Sequence, residues 1–473
     1  MRSPVNLRVA VVGAGPAGIY ASDILSRTLP GTAIDLFDRL PAPYGLVRYG
    51  VAPDHPRIKA IVAALDKILA RGDVRLIGNV DVGDEIGGIT IQELGTLYDA
   101  VILATGAIRD ADLDIPGIDL PGSFGAADFV SWFDGHPDVP RTWPLEASQI
   151  AVIGAGNVAL DVARMLAKHV EDLSATEIPA NVAEGLAASP VTDVHVFARR
   201  GPAQAKFSPL ELRELGHVPD VDVLVYPEDF EFDAGSEAAM AASNQTRQVV
   251  ATLTDWALKD PEEARASRRL HLHFLHRPVE VIGEAGPDGV TRVSGLRTER
   301  TTLAGDGSAV GTGVLVDTPV QAVYRAVGYF GSPVPGVPFD DVAGVIPNDG
   351  GRVLGEDGAP IPGLYATGWI KRGPVGLIGS TKSDAQETIR NLAEDVAAGV
   401  GLRAGNAGAG AGADSGVDVI DLLEERGVPV TTWSGWELLQ AHERALGEAE
   451  GRERVKVVPR EEMTAISRGA LVS

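Results

Sequence analysis

Two stretches of this chain repeat one order: an apolar strand, a glycine-rich turn, then a helix-forming run. The first reads Leu7-Arg-Val-Ala-Val-Val12 into Gly13-Ala-Gly15-Pro-Ala-Gly18, a helical run to Leu29, then an apolar strand over 33–37 ending at Asp38. The second reads Gln149-Ile-Ala-Val-Ile153 into Gly154-Ala-Gly156-Asn-Val-Ala159 and a helical run from Leu160 to about His169. Its next strand, 193–198, ends at Arg199-Arg200. That order specifies the βαβ unit of dinucleotide-binding folds, so the expected fold class is α/β with two Rossmann-like domains.

The turns carry chemistry as well as shape. The first glycine permits the tight turn, the second lets a pyrophosphate approach the backbone, and the third lets helix and strand pack closely. The helix N-terminus then offers amide donors and a favourable field to phosphate. Asp38 falls where a carboxylate accepts hydrogen bonds from an adenosine ribose. The second unit has Ala159 at its third glycine position, and arginines in place of the carboxylate. Arg199 and Arg200 suit a ribose 2′-phosphate and favour NADP(H) over NAD(H); a solvated basic pair is the bland alternative. The long separation between Gly156 and Arg199 is read as an insertion around 171–192.

The chain has 473 residues, enough for two or three domains, and no cysteine. Cysteine-ligated clusters and a redox disulfide are therefore excluded from this chain, and any electrons must be carried by an organic cofactor. The net charge of −24 argues against general nucleic-acid binding. No stretch is apolar enough to span a bilayer, and the run from Met1 to Val12 lacks a signal-peptide layout, so a cytoplasmic protein is expected. Monomer is the default, and the sequence offers no ligand set for a metal. Two further strand-to-glycine segments, ending at Thr105-Gly106 and at Gly368-Trp369, read as parts of the first unit. The expected division is 1–107 and 329–402 for an FAD-binding domain, with 108–328 between them for NADP. A Gly/Ala-rich linker over 403–415 then leads to a tail, 416–473, packing on the FAD domain.

Five blocks carry a family resemblance. They are Pro43-Tyr-Gly-Leu46-Val47-Arg48-Tyr-Gly-Val51-Ala-Pro53-Asp54-His55-Pro56, the stretch Gly154 to Arg164, Ala198-Arg-Arg-Gly201, Leu210-Glu211-Leu-Arg-Glu214-Leu215 and the stretch Gly368 to Gly379. Together they resemble adrenodoxin reductase and its bacterial ferredoxin–NADP(+) reductase relatives. These are two-site flavoproteins, similar to the glutathione reductase superfamily but without its disulfide. The resemblance implies an oxidoreductase in which hydride passes from NADPH to noncovalent FAD, and two single electrons then pass to an iron–sulfur ferredoxin. It implies FAD contacts at Gly13, Gly15, Ala17, Gly18, Asp38, Leu46 and Val82, where Asp38 replaces the more usual Glu. Trp369, Gly376, Leu377 and Ile378 would hold the isoalloxazine and ribityl end, though Trp369 stands where related flavoproteins place an Asp and also suits core packing. Ala155, Gly156, Asn157, Val158, Arg199, Arg200 and Glu211 would bind NADP. His55 and Glu214 would lie near the nicotinamide–flavin contact, tuning its geometry and polarity.

Local readings compete for some of these residues. Ser208-Pro209-Leu210-Glu211 has the form of a capping box, compatible with NADP contact by Glu211. Asp54 is placed to cap a helix begun by Pro56. Residues 1–60 hold seven Arg/Lys against four Asp, and Lys371, Arg372 and Lys382 form a second basic island. Such islands suggest a positive mouth that attracts NADPH and an acidic ferredoxin, or else charges that only balance two pyrophosphates. Two other functions fit the motifs: reduction of a small organic acceptor or oxygen, and a non-catalytic FAD/NADP redox sensor.

Overall fold

The fold is seen in a computed structural model that describes residues 7–83, 88–375, 378–399 and 417–470. Gly376, Leu377 and the 403–415 segment lie outside the described residues, as does the side chain of Ile378.

Arg8–Val12 is apolar on both faces, as a strand must be to lie inside a parallel sheet. It takes that place, pairing in parallel with Ala33–Phe37 on one side and Ala100–Leu103 on the other. Arg75–Ile77 extends the sheet beyond Ala33–Phe37. On the far side Pro360–Ala366 runs parallel to Ala100–Leu103, followed by the short antiparallel strands Arg352–Leu354 and Asn348–Asp349. The sheet thus joins residues from both ends of the chain.

A second sheet of six strands is parallel throughout. Its order is Val221–Val225, Arg268–His273, Asp193–Phe197, Gln149–Ile153, Ala322–Arg325 and Ser123–Gly125. Its core includes Phe129, Trp132 and Tyr324, with Trp143 partly buried against it and donating from Nε1 to the Tyr324 hydroxyl at 2.9 Å. The insertion expected at 171–192 is partly ordered: helix Ala180–Ala188 buries Val182 and Leu186 in that core. An antiparallel meander, His276–Ala285, Thr291–Leu303 and Ala309–Pro319, packs Val281, Val293 and Leu296 on the second sheet.

Residues beyond 417 join the first sheet's surroundings. Thr431 exchanges backbone hydrogen bonds with Gly78, and Trp436 meets Tyr44 edge-on at 5.7 Å. Glu443 is fully buried and paired with Arg48, itself almost fully buried. No helix of the described residues is long and apolar enough to cross a membrane.

Candidate active site

Both glycine turns lie at the carboxyl ends of central strands, each opening a helix: Pro16–Thr28 in the first unit and Asn157–Ala167 in the second. Gly13 takes φ +110°, where an added Cβ would lie 2.4 Å from the Ala104 carbonyl oxygen. At Gly18 a Cβ would lie 1.9 Å from the Gly13 carbonyl oxygen, so helix and turn touch backbone to backbone. The middle glycines are different. A Cβ on Gly15 would meet nothing nearer than the Gly45 Cα at 3.8 Å, and one on Gly156 would meet nothing within 4 Å. The room at these two turns is what a pyrophosphate requires.

The first turn is gripped by Asp38. Its carboxylate accepts from the Ala14 amide at 2.8 Å and from the Leu40 amide at 2.9 Å. Burial lifts its pKa to about 6, outweighing those amides and the charges of Arg39 and Arg460. Asp38 therefore shapes the turn, and its oxygens keep lone pairs for ribose hydroxyls. Thr105 Oγ1, next to the turn, is buried without a hydrogen-bond partner. An orphaned buried hydroxyl beside a strand end is the mark of a place that a polar ligand completes. In the sequence Thr105-Gly106 marks only the end of a unit, and its strand-to-glycine step is the signal that points to this place.

Three other expected residues come to the first turn or its core. Tyr44 N donates to the Ala14 carbonyl, which sets Gly45 against Gly15 and half-buried Leu46 beside it. Gly368 lies so close that a Cβ there would be 2.6 Å from the Ala17 Cβ, and half-buried Trp369 follows as the first residue of a short helix. Val82 packs on the cluster that contains Val12 and Phe37.

In the second unit Lys206 N donates to the Ala155 carbonyl and Ser208 N to Asn157 Oδ1, both at 2.8 Å. Val158 packs inward against the core. Arg199 is exposed and Arg200 half-buried, and among the described residues neither guanidinium has a hydrogen-bond or ion-pair partner. Two unpaired guanidiniums after the second strand fit a phosphate.

Between the units lies a charged cluster. His55 Nε2 is 2.9 Å from both Asp161 Oδ1 and Glu211 Oε2, and Nδ1 is 3.1 Å from Glu214 Oε2. Arg164, almost fully buried, donates to both oxygens of Asp54 at 2.9 and 3.0 Å and to Asp161 at 2.7 Å. Lys168 adds a 2.8 Å bond to Asp54. Burial pulls the His55 pKa down, but the hydrogen bonds to Asp161 and Glu211 win and raise it to about 9. Burial raises the Glu214 carboxyl, against the pull of His55.

Two local expectations are corrected by this cluster. Asp54 does not cap the helix Pro56–Lys59, whose N-cap is His55; its carboxylate is drawn away by Arg164 and Lys168. The capping box at Ser208 is half made. Ser208 Oγ accepts from Glu211 N, but Ser208 N is taken by Asn157 and the Glu211 side chain turns to His55. The basic islands are also less positive than a count suggests. Arg48, Lys59 and Lys371 are withdrawn into ion pairs with Glu443, with Asp134 and Glu177, and with Asp384 and Glu387.

A histidine with a raised pKa stabilises the folded state fully below about pH 6.5, and that stabilisation is lost as pH rises through about 9. We expect His55→Gln to remove about 3 kcal/mol of pH-dependent stability over that window. Urea unfolding at pH 6.5 and 9.5 checks this; equal slopes in both proteins would remove His55 as the titrating clamp.

Comparison with known proteins agrees with this geometry. The family model described as pyridine nucleotide-disulphide oxidoreductase matches residues 7–200. NADPH-ferredoxin reductase FprA of Mycobacterium tuberculosis is 40% identical over 98% of this chain and 99% of its own. NADPH:adrenodoxin oxidoreductase of Homo sapiens is 38% identical over 96% of this chain and 91% of its own. The structure of Mycobacterium tuberculosis FprA in complex with NADPH superposes with a TM-score of 0.86 at 39% identity, covering 98% of this chain and all of that one. Full-length identity of this size, on the same two-turn framework, places the chain in the family of NADPH-ferredoxin reductases and NADPH:adrenodoxin oxidoreductases.

Proposed function

We propose that this chain is a cytoplasmic, FAD-containing ferredoxin–NADP(+) reductase that takes electrons from NADPH and delivers them singly to a ferredoxin-type iron–sulfur protein. The observation that carries the reading is the presence of two glycine turns with open ground in a cysteine-free chain, one beside Asp38 and the other beside Arg199 and Arg200. Bound FAD supplies the step between hydride and single-electron chemistry.

The chain's residues do the rest. Gly13, Gly15, Ala17 and Gly18 offer backbone to the FAD pyrophosphate, and Asp38 holds both the turn and the ribose. Leu46, Val82, Thr105 and Trp369 wall the cofactor; Gly376, Leu377 and the Ile378 side chain, expected at the same place, lie outside the described residues. The 155–158 turn and Arg199 and Arg200 hold NADP. His55, Glu211 and Glu214 join the two units, and the alignment of the two nucleotides depends on that joint. A buried imidazolium against half-exposed Glu214 keeps a proton at Nδ1 and fixes local polarity, so both act as positioning residues at the contact.

Stopped-flow absorbance of the yellow protein tests this. NADPH should bleach the flavin band, and oxidised ferredoxin at low concentration should restore it. Bleaching that ferredoxin does not reverse would shift the function to a small organic acceptor or oxygen, and no bleaching would leave a nucleotide sensor.

A further inference from the structure

Four of the nine histidines, His195, His271, His273 and His276, converge on one side of the second sheet, outside the two glycine turns. The cause is register. Strands Asp193–Phe197 and Arg268–His273 run side by side in parallel with His195 level with His271, and alternation puts His273 on the same face. His195 Nδ1 and His273 Nε2 are 3.1 Å apart. One nitrogen from each of His195, His271 and His273 lies within 4.8 Å of the others.

We propose that His195, His271 and His273 form a binding site for one borderline d-block divalent cation of the zinc, nickel or copper type. Imidazole nitrogens suit these ions, whereas calcium and magnesium prefer oxygen ligands. Tetrahedral zinc at its usual distance from nitrogen separates two ligands by about 3.3 Å, so the His195–His273 pair is already spaced for it. The ring that now donates between them moves its proton to its other nitrogen, and the ion takes the place of that hydrogen bond.

The third ligand is prepared from behind. His271 Nε2 is 2.9 Å from Asp193 Oδ1, and a carboxylate only accepts, so Nε2 carries the proton. The Nδ1 lone pair then faces the Tyr226 hydroxyl at 2.7 Å, and because the ring stacks on His195 with centroids 4.2 Å apart, it must turn away from that hydroxyl to reach an ion held between His195 and His273. A carboxylate behind a ligating histidine is how metal sites fix tautomer and ring orientation. His195 and His273 remain half-buried, which leaves a way in for the ion.

Neighbouring groups of possible ligands are occupied. Asp229 and His276 enclose the Arg300 guanidinium, 2.7 Å from His276 Nε2. His55, Glu211 and Glu214 face Arg164 in the joint between the units. Around the His195–His271–His273 group stand Tyr226, Phe197, Asp193 with Arg269 behind it, and Asp229, 4.0 Å from His273 Nδ1 and itself paired with Arg300; among the described residues no guanidinium or ammonium is hydrogen-bonded to these three imidazoles.

The test uses the untagged, FAD-loaded full chain. Titration calorimetry with zinc chloride should give one ion per chain. His195→Asn and His273→Asn should each weaken binding by at least about tenfold, and Asp193→Asn by about tenfold through loss of orientation. His217→Gln, at an exposed histidine elsewhere, should change nothing. Bound copper(II) should show electron paramagnetic resonance splitting from at least two nitrogens, a readout that needs no variant to fold. Lack of zinc binding up to millimolar concentration would overturn the proposal. So would a copper spectrum without nitrogen coupling, or affinity unchanged in both histidine variants.

Discussion

Replacing Arg199 and Arg200 together by alanine is expected to lower kcat/KM for NADPH by about 100- to 10,000-fold while leaving that for NADH nearly unchanged. Among the described residues neither guanidinium has a protein partner, so its charge-assisted bonds are available to a 2′-phosphate, at about 1.5–3 kcal/mol per contact. The loss belongs to binding in the ground and transition states alike, so it should fall mainly on KM. Arg→Lys variants should recover only part, because lysine lacks the planar fork. Steady-state rates with both nucleotides decide it. An equal fall with NADH would mean that the arginines support the loop and do not read the phosphate.

The second large effect is expected at Glu443. Its carboxylate accepts from Arg48 Nη1 at 3.0 Å and from the Val457 amide at 3.0 Å, and also pairs with Arg48 Nη2. Glu443→Ala leaves the Arg48 guanidinium buried against Tyr49 and Trp436 without a counter-charge. Breaking such a pair from one side costs about 3–5 kcal/mol, whereas replacing both partners by apolar residues of similar volume is close to neutral. Urea unfolding should therefore show a large loss for Glu443→Ala and substantial recovery for the double variant Arg48→Met with Glu443→Leu. If the double variant were no better than the single, the pair would be acting through shape and not charge.

These two sites show what the amino-acid order reveals and what it hides. The glycine turns and the Arg199-Arg200 pair are legible because their chemistry is local: a turn, a helix start and a strand end lie within a few residues. Asp38 is legible in the same way, although its grip on Ala14 adds a role that the motif does not announce. Asp54 misleads because its nearest sequence partner is a helix start, while its real partner Arg164 lies 110 positions away. Arg48 reads as surface charge until Glu443, 395 positions on, is brought against it. The histidine group is hidden by the same distance, since only strand register sets His195 beside His271. Long-range charge pairing carries no periodicity, so nothing in a short window betrays it.

The way the first sheet is closed also orders events during synthesis. Pro360–Ala366 must reach Ala100–Leu103 before that sheet has its neighbour, and Glu443 must emerge before Arg48 can be neutralised. At about 5–20 residues per second, a nascent chain waits roughly 20–80 s between Arg48 and Glu443. The second sheet, made from one continuous stretch, has all its strands in hand well before then. The second unit can therefore assemble while the first is still open. Flavin capture is therefore expected to be complete only after Pro360–Ala366 has joined the first sheet.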